Sequence, residues 1–205
     1  MGLRAENYNL YYTGQNQQGD IVYEDENLLS ELDLFPSINL IYGLKEMSNL
    51  RFSLSRTIAR PSFKEKSIAQ IFDPVTSTTF IGNIDILPTK ILNYDLRWEL
   101  FQEDAQMYAI SLFYKDFTNP IELVVYNGAS PNDYTPKNVD EAKVYGIELE
   151  FRKNLEFISE SLSNFKLTFN TSIIRSEEIM DEKEYEGRTK SARSGEVVSL
   201  SLIHI

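Results

Sequence analysis

Residues 91–117 hold the pattern that most constrains the fold. Leu92, Tyr94, Leu96, Trp98 and Leu100 alternate with Asn93, Asp95, Arg97 and Glu99. Side chains of an extended strand point to opposite faces in turn, so this run has one apolar face and one strongly polar face. Leu50, Phe52 and Leu54 repeat it against Arg51, Ser53 and Ser55, and Tyr108, Ile110, Leu112 and Tyr114 share a face further on. A soluble sandwich turns its apolar face inward. A membrane barrel turns it toward lipid and keeps the charged face for a wet interior. Alternation is the same in both cases, so strand and loop lengths must separate them.

The pattern predicts strands over 2–13, 37–45, 49–58, 91–102, 106–117, 140–153 and 164–175, with another beginning near Gly195. The alternation weakens from Tyr8 to Tyr12, where a bulge is expected. Pro36 is expected to open its strand, and a short strand is expected at 121–126. The connections 14–33, 59–90, 118–139 and 177–193 are long, and 46–48, 103–105 and 154–163 are short. The two kinds alternate, which puts long loops on one rim and tight turns on the other, as in a membrane meander. Strands of about 9–11 residues suit a tilted crossing, whereas soluble strands run to about 5–6. Loops beyond about 12–15 residues are uncommon in compact soluble domains. The chain has 12 Tyr, 12 Phe and one Trp. Tyr11, Tyr12, Tyr42, Tyr94, Phe101, Tyr114, Phe117, Tyr145, Phe151 and Phe165 fall at strand ends, where aromatic girdles meet headgroups. Cross-strand packing in a soluble sheet is the alternative.

Composition excludes several functions. There is no cysteine and one histidine, His204. Thiolate metal sites, zinc sites and histidine catalysis are therefore not expected. The net charge of −11, with no clustered basic stripe, excludes nucleic acid as a partner. No apolar run is long enough for a transmembrane helix, which says nothing about a barrel. No phosphate-binding glycine loop or nucleophile elbow is present. The acidic stretches 20–33 and 177–186 lack an ordered D-x-D-x-D-G calcium pattern and are expected to be solvated. No cofactor and no enzyme activity are expected.

Four segments resemble the barrel of TonB-dependent outer-membrane receptors. They are R-F-S-L-S-R-T-I-A-R-P-S-F-K-E at 51–65, G-N-I-D-I-L-P-T-K-I-L-N-Y-D-L-R-W-E at 82–99, I-S-L-F-Y-K-D-F-T-N-P-I-E at 110–122 and V-Y-G-I-E-L-E-F at 144–151. They occur in the family's order across most of residues 34–176. Ile84 stands where the family has proline, and Thr89 where it has glutamate. The resemblance implies an all-β, antiparallel transmembrane meander, about eight strands of a larger barrel, spanning residues 1–205. It implies an outer-membrane location and active uptake of a large scarce ligand: a ferric chelate, cobalamin or an oligosaccharide. It further implies three partners: outer-membrane lipid, a plug domain with the remaining barrel strands, and the inner-membrane energy-transducing TonB complex. The plug and the end of the barrel are expected to lie elsewhere in a longer protein. A passive pore or small barrel, and a soluble β-sandwich binding module, remain the alternatives.

Arg51, Asp95, Arg97, Glu99, Glu148 and Glu150 are the candidates for an interior face that meets plug or ligand. Arg56 and Arg60 join them at the point where a strand gives way to a long loop. The structural alternative has Arg60 paired with a carboxylate such as Glu65, and Pro61 ending the strand. Asp95 and Glu99 as an acid–base pair would need a cleft and shifted pKa values, which a bare strand face does not provide.

Overall fold

The computed structural model describes residues 1–125 and 133–179. Seven long strands form one antiparallel sheet: β1 (Gly2–Gln15), β2 (Val22–Lys45), β3 (Ser48–Ala59), β6 (Thr89–Phe101), β7 (Met107–Thr118), β10 (Glu141–Asn154) and β11 (Lys166–Ile179). They follow one another in space as in sequence. A second sheet of four short strands, β4 (Gln70–Asp73), β5 (Thr78–Ile81), β8 (Ile121–Val125) and β9 (Asp133–Asn138), is built from the two long connections, in the order β4-β5-β9-β8. The expected strand from Gly195 and the charged loop after Ile179 lie outside the described residues.

Several boundaries differ from the sequence reading. The stretch 14–33 is not one long loop: β1 runs to Gln15 and β2 starts at Val22, so the connection is residues 16–21 alone. The polar side chains of 22–33 misled because a strand pair standing in water needs no apolar face. Its ladder with β1 holds it, from Gly2↔Ser37 to Gln15↔Val22. The expected bulge is present, with register shifts at Leu10/Tyr11 and Tyr12/Gly14. Pro36 lies inside β2 rather than at its start. The β2–β3 ladder begins at Ser37, so the missing N–H of Pro36 falls where that second ladder stops. Residues 177–179 belong to β11, not to a loop.

The register sorts the side chains into two faces. One row crosses the sheet as Leu40, Phe52, Leu96, Leu112, Ile147 and Ile173, and the row below it as Tyr42, Leu50, Trp98, Ile110, Leu149 and Thr171. Leu40, Leu96, Leu112 and Ile173 are all exposed. Tyr94, Tyr114 and Tyr145 form the row above, with ring centroids 6.0 and 6.4 Å apart, and Tyr108 and Phe151 meet at 5.3 Å below. These two aromatic rows on the apolar face are the candidates for the expected girdles. Tyr12 and Phe117 are not part of them, because both are buried on the opposite face.

The upper edge of the apolar band is not level with the register. It reaches Leu32 on β2 but only Ile173 on β11, whose row partner on β2 is Leu40. That is a drop of roughly eight residues over about five strand steps, or roughly 26 Å against 24 Å. The band is horizontal only if the strands lean by roughly 45°, the upper end of the tilt of a membrane barrel.

Gly146 shows how closely the opposite face is packed. A Cβ there would lie 2.5 Å from the Ile173 carbonyl oxygen and 2.8 Å from the Phe113 ring. Gly146→Val is therefore expected to destabilise the intact barrel by about 1–3 kcal/mol. The check is a lower urea midpoint for loss of its compact gel mobility; an unchanged midpoint would contradict the packing.

Candidate functional site

On the face opposite the apolar band, four strands carry one connected set of charges. Arg51 of β3 donates from Nε to Glu99 at 2.7 Å, and Arg97 of β6 donates from Nε to the other Glu99 oxygen at 2.8 Å. Arg97 also donates to Ser111 Oγ of β7 at 2.8 Å and to Glu150 of β10 at 2.9 Å. Arg152 closes the set, donating to the second Glu150 oxygen at 2.8 Å. The register places Ala109 between Glu99 and Glu150, and its small side chain leaves room for the carboxylates on either side. Glu99 is only 7% exposed, yet both its oxygens accept from guanidinium groups. A buried carboxylate held this way is a fixed structural charge, not a proton carrier.

The candidates separate accordingly. Arg51, Arg97, Glu99 and Glu150 are brought together. Asp95 shares their face but sits opposite Ser53 and Phe113, and Glu148 sits opposite Ser111 and Ser172. Arg56 is a correction. It falls on the face of Leu50, Phe52 and Leu54, opposite Leu92, because the strand continues unbroken past it and parity decides its side. Arg60 does pair with carboxylates, as the structural alternative expected, but not with Glu65. It lies 2.9 Å from Glu6 and 3.5 Å from Asp33, with its guanidinium 4.5 Å over the Tyr8 ring. Glu65 instead accepts from the backbone N–H and hydroxyl of Ser62, at 2.7 and 2.8 Å, and fixes the turn after Pro61.

The connection 60–88 and the described residues 119–125 and 133–140 of the next long connection form a shelf at the long-loop rim. Lys66 is buried, and its ammonium donates to the carbonyls of Ile84 and Ile86, both at 2.8 Å. Burial pushes its pKa below the ordinary lysine value, against the opposing pull of Asp85 and Glu31. Gly82 is required at its position, since a Cβ would stand 2.3 Å from the Ser67 carbonyl oxygen. Asn83 donates to Pro136 O at 3.0 Å. Asn138 accepts from Leu87 N at 2.7 Å and donates to Leu87 O at 2.9 Å and Asn119 O at 2.8 Å. Two loops from separate hairpins are thus one hydrogen-bonded unit.

Sequence reasoning missed Arg152, Ser111, Lys66 and Asn138. Arg152 and Ser111 carried a signal, since each continues the polar alternation of its strand. Lys66 and Asn138 carried none, because irregular backbone has no period.

The family model described as "TonB dependent receptor-like, beta-barrel" matches residues 1–193. The chain belongs to the TonB-dependent receptor barrel family. Among solved structures it is similar to the siderophore receptor PirA from Pseudomonas aeruginosa, at 17% identity and a TM-score of 0.61, over 72% of this chain and 29% of that one. It is also similar to a mutant of the ferric enterobactin receptor PfeA from Pseudomonas aeruginosa, at 20% identity and TM-score 0.53, over 70% and 22%. PirA from Acinetobacter baumannii matches at 15% identity and TM-score 0.52, over 74% and 24%. The chain thus spans less than a third of the length of these receptors. No curated protein matches. This TonB-dependent receptor barrel is an outer-membrane protein. In membrane barrels an apolar band meets lipid and the polar face lines the interior.

Proposed function

We propose that this chain is the wall of a receptor that takes up a large scarce ligand by energised transport. A plug domain and the remaining strands come from the rest of the protein, and the inner-membrane TonB complex supplies the energy. The chain is a conduit and binding wall, and does no covalent chemistry. The observation that carries the reading is the interior charge set linking Arg51, Arg97, Glu99, Glu150 and Arg152. It is rigid and already satisfied within the wall, so it can guide a plug past it without stranding a buried charge. Arg51 and Arg152 stand at its two ends and are half-exposed, which supports a role for both in meeting what fills the interior.

Relatives named as siderophore receptors make a ferric chelate the first ligand to try, ahead of cobalamin and oligosaccharide. Deletion of the gene is expected to abolish growth on the cognate ferric chelate as sole iron source. Double replacement of Arg51 and Arg152 by glutamine is expected to cut uptake while binding at the cell surface persists. Uptake that is unchanged when TonB is removed would refute the energised reading and favour a passive pore.

A further inference from the structure

The lipid-facing surface is not uniform. At its lower end, between β6, β7 and β10, it opens into a groove of about 410 Å³ walled by Trp98, Leu100, Tyr108, Ile110, Leu149 and Phe151. That volume lies within the range of small-molecule sites, about 300–1,000 Å³. The residues sit at the level of the lower girdle, at the rim of short turns, which is the periplasmic rim of an outer-membrane barrel. Lys153 follows Phe151 on the same face of β10. Its ammonium donates to Tyr108 Oη at 3.2 Å and lies 5.0 Å over the Phe157 ring. Among the described residues no carboxylate pairs with it. Two other cations on this face of β10 and β11 do have such partners: Lys143 lies 3.9 Å from Glu141, and Arg175 lies 3.1 Å from Glu177.

We propose that this groove is a specific phospholipid site: one acyl chain lies along Trp98, Leu100, Ile110 and Leu149, and an anionic headgroup phosphate sits at Lys153. The occupant follows from position. The groove opens to the bilayer, so a hydrocarbon chain is what it meets. A lysine whose ammonium lies 5.9 Å from the Tyr108 ring and 5.0 Å from the Phe157 ring holds its charge at the level of the girdle, which is headgroup depth. It has spare donors and, among the described residues, no carboxylate partner, so it favours an anionic headgroup over a zwitterionic one by about 1 kcal/mol, or about fivefold.

The test uses the intact, delipidated receptor titrated with phosphatidylglycerol or phosphatidylcholine and read by native mass spectrometry. Wild type is expected to retain one phosphatidylglycerol about fivefold more tightly than phosphatidylcholine. Lys153→Gln is expected to erase that preference, and Lys153→Arg to keep it. Lys143→Gln, at the opposite rim, is expected to leave it unchanged. Equal retention of both lipids by wild type, or an unaltered preference in Lys153→Gln, would overturn the site. A preference abolished equally by Lys143→Gln would also overturn it, reducing the effect to diffuse surface charge. Uptake plays no part in the readout, so failure here is distinct from failure of the proposed function.

Discussion

Leu96→Arg in the intact protein is expected to cost about 2–4 kcal/mol. Leu96 is in the middle of the lipid-facing row, between Phe52 and Leu112, two residues from each neighbouring row. A guanidinium there meets hydrocarbon, and the length of its side chain relieves only part of the cost by reaching toward the nearer headgroups. The reverse replacement on the next residue is a different loss. Arg97→Leu puts no charge into lipid; it removes donors from Glu99, Ser111 and Glu150. Glu99 keeps Arg51 and Glu150 keeps Arg152, so the remaining charges are still paired. That loss is expected to be about 1–3 kcal/mol. Both values follow from urea midpoints of the refolded receptor in detergent or lipid. A loss for Arg97→Leu much larger than for Leu96→Arg would mean that the two faces are assigned the wrong way round.

That the two faces could be sorted from sequence is a consequence of period two. Parity along β6 separates Leu96 and Trp98 from Asp95, Arg97 and Glu99 without any knowledge of neighbours. The same rule placed Arg51, Glu148 and Glu150 on the interior face. It also places Arg56 on the lipid side, and the sequence reading erred by letting charge outweigh parity there. What sequence could not give was register. Glu99 meets Arg51 and Arg97 because specific strands align, and alignment depends on turn geometry and bulges. The length of β2 was hidden for a related reason. Above the membrane a strand pair has water on both sides, so hydrophobic alternation disappears while the hydrogen-bond ladder continues. In the shelf, irregular backbone is fixed by the side chains of Lys66, Asn83 and Asn138, each reaching across 18 to 53 positions of chain. No local pattern reports contacts of that span.

Expression of these 205 residues alone is expected to give no folded monomer in buffer and no heat-modifiable barrel band in detergent. Among the described residues the sheet is open, with β1 and β11 at its edges. In lipid each unpaired backbone group costs several kcal/mol, so an open sheet cannot cross a bilayer by itself. In water the same piece exposes Leu3, Leu32, Leu40, Tyr42, Phe169 and Ile173 on one apolar face, which drives association. Both solvents therefore reject the isolated piece, for different reasons. Small barrels of eight strands do close, so the outcome is not fixed by strand number alone. Gel mobility with and without heating, together with protease resistance in detergent, distinguishes the cases. A monodisperse, protease-resistant monomer with hydrogen bonds between residues 2–13 and 195–205 would overturn the expectation, because this chain would then close a barrel by itself.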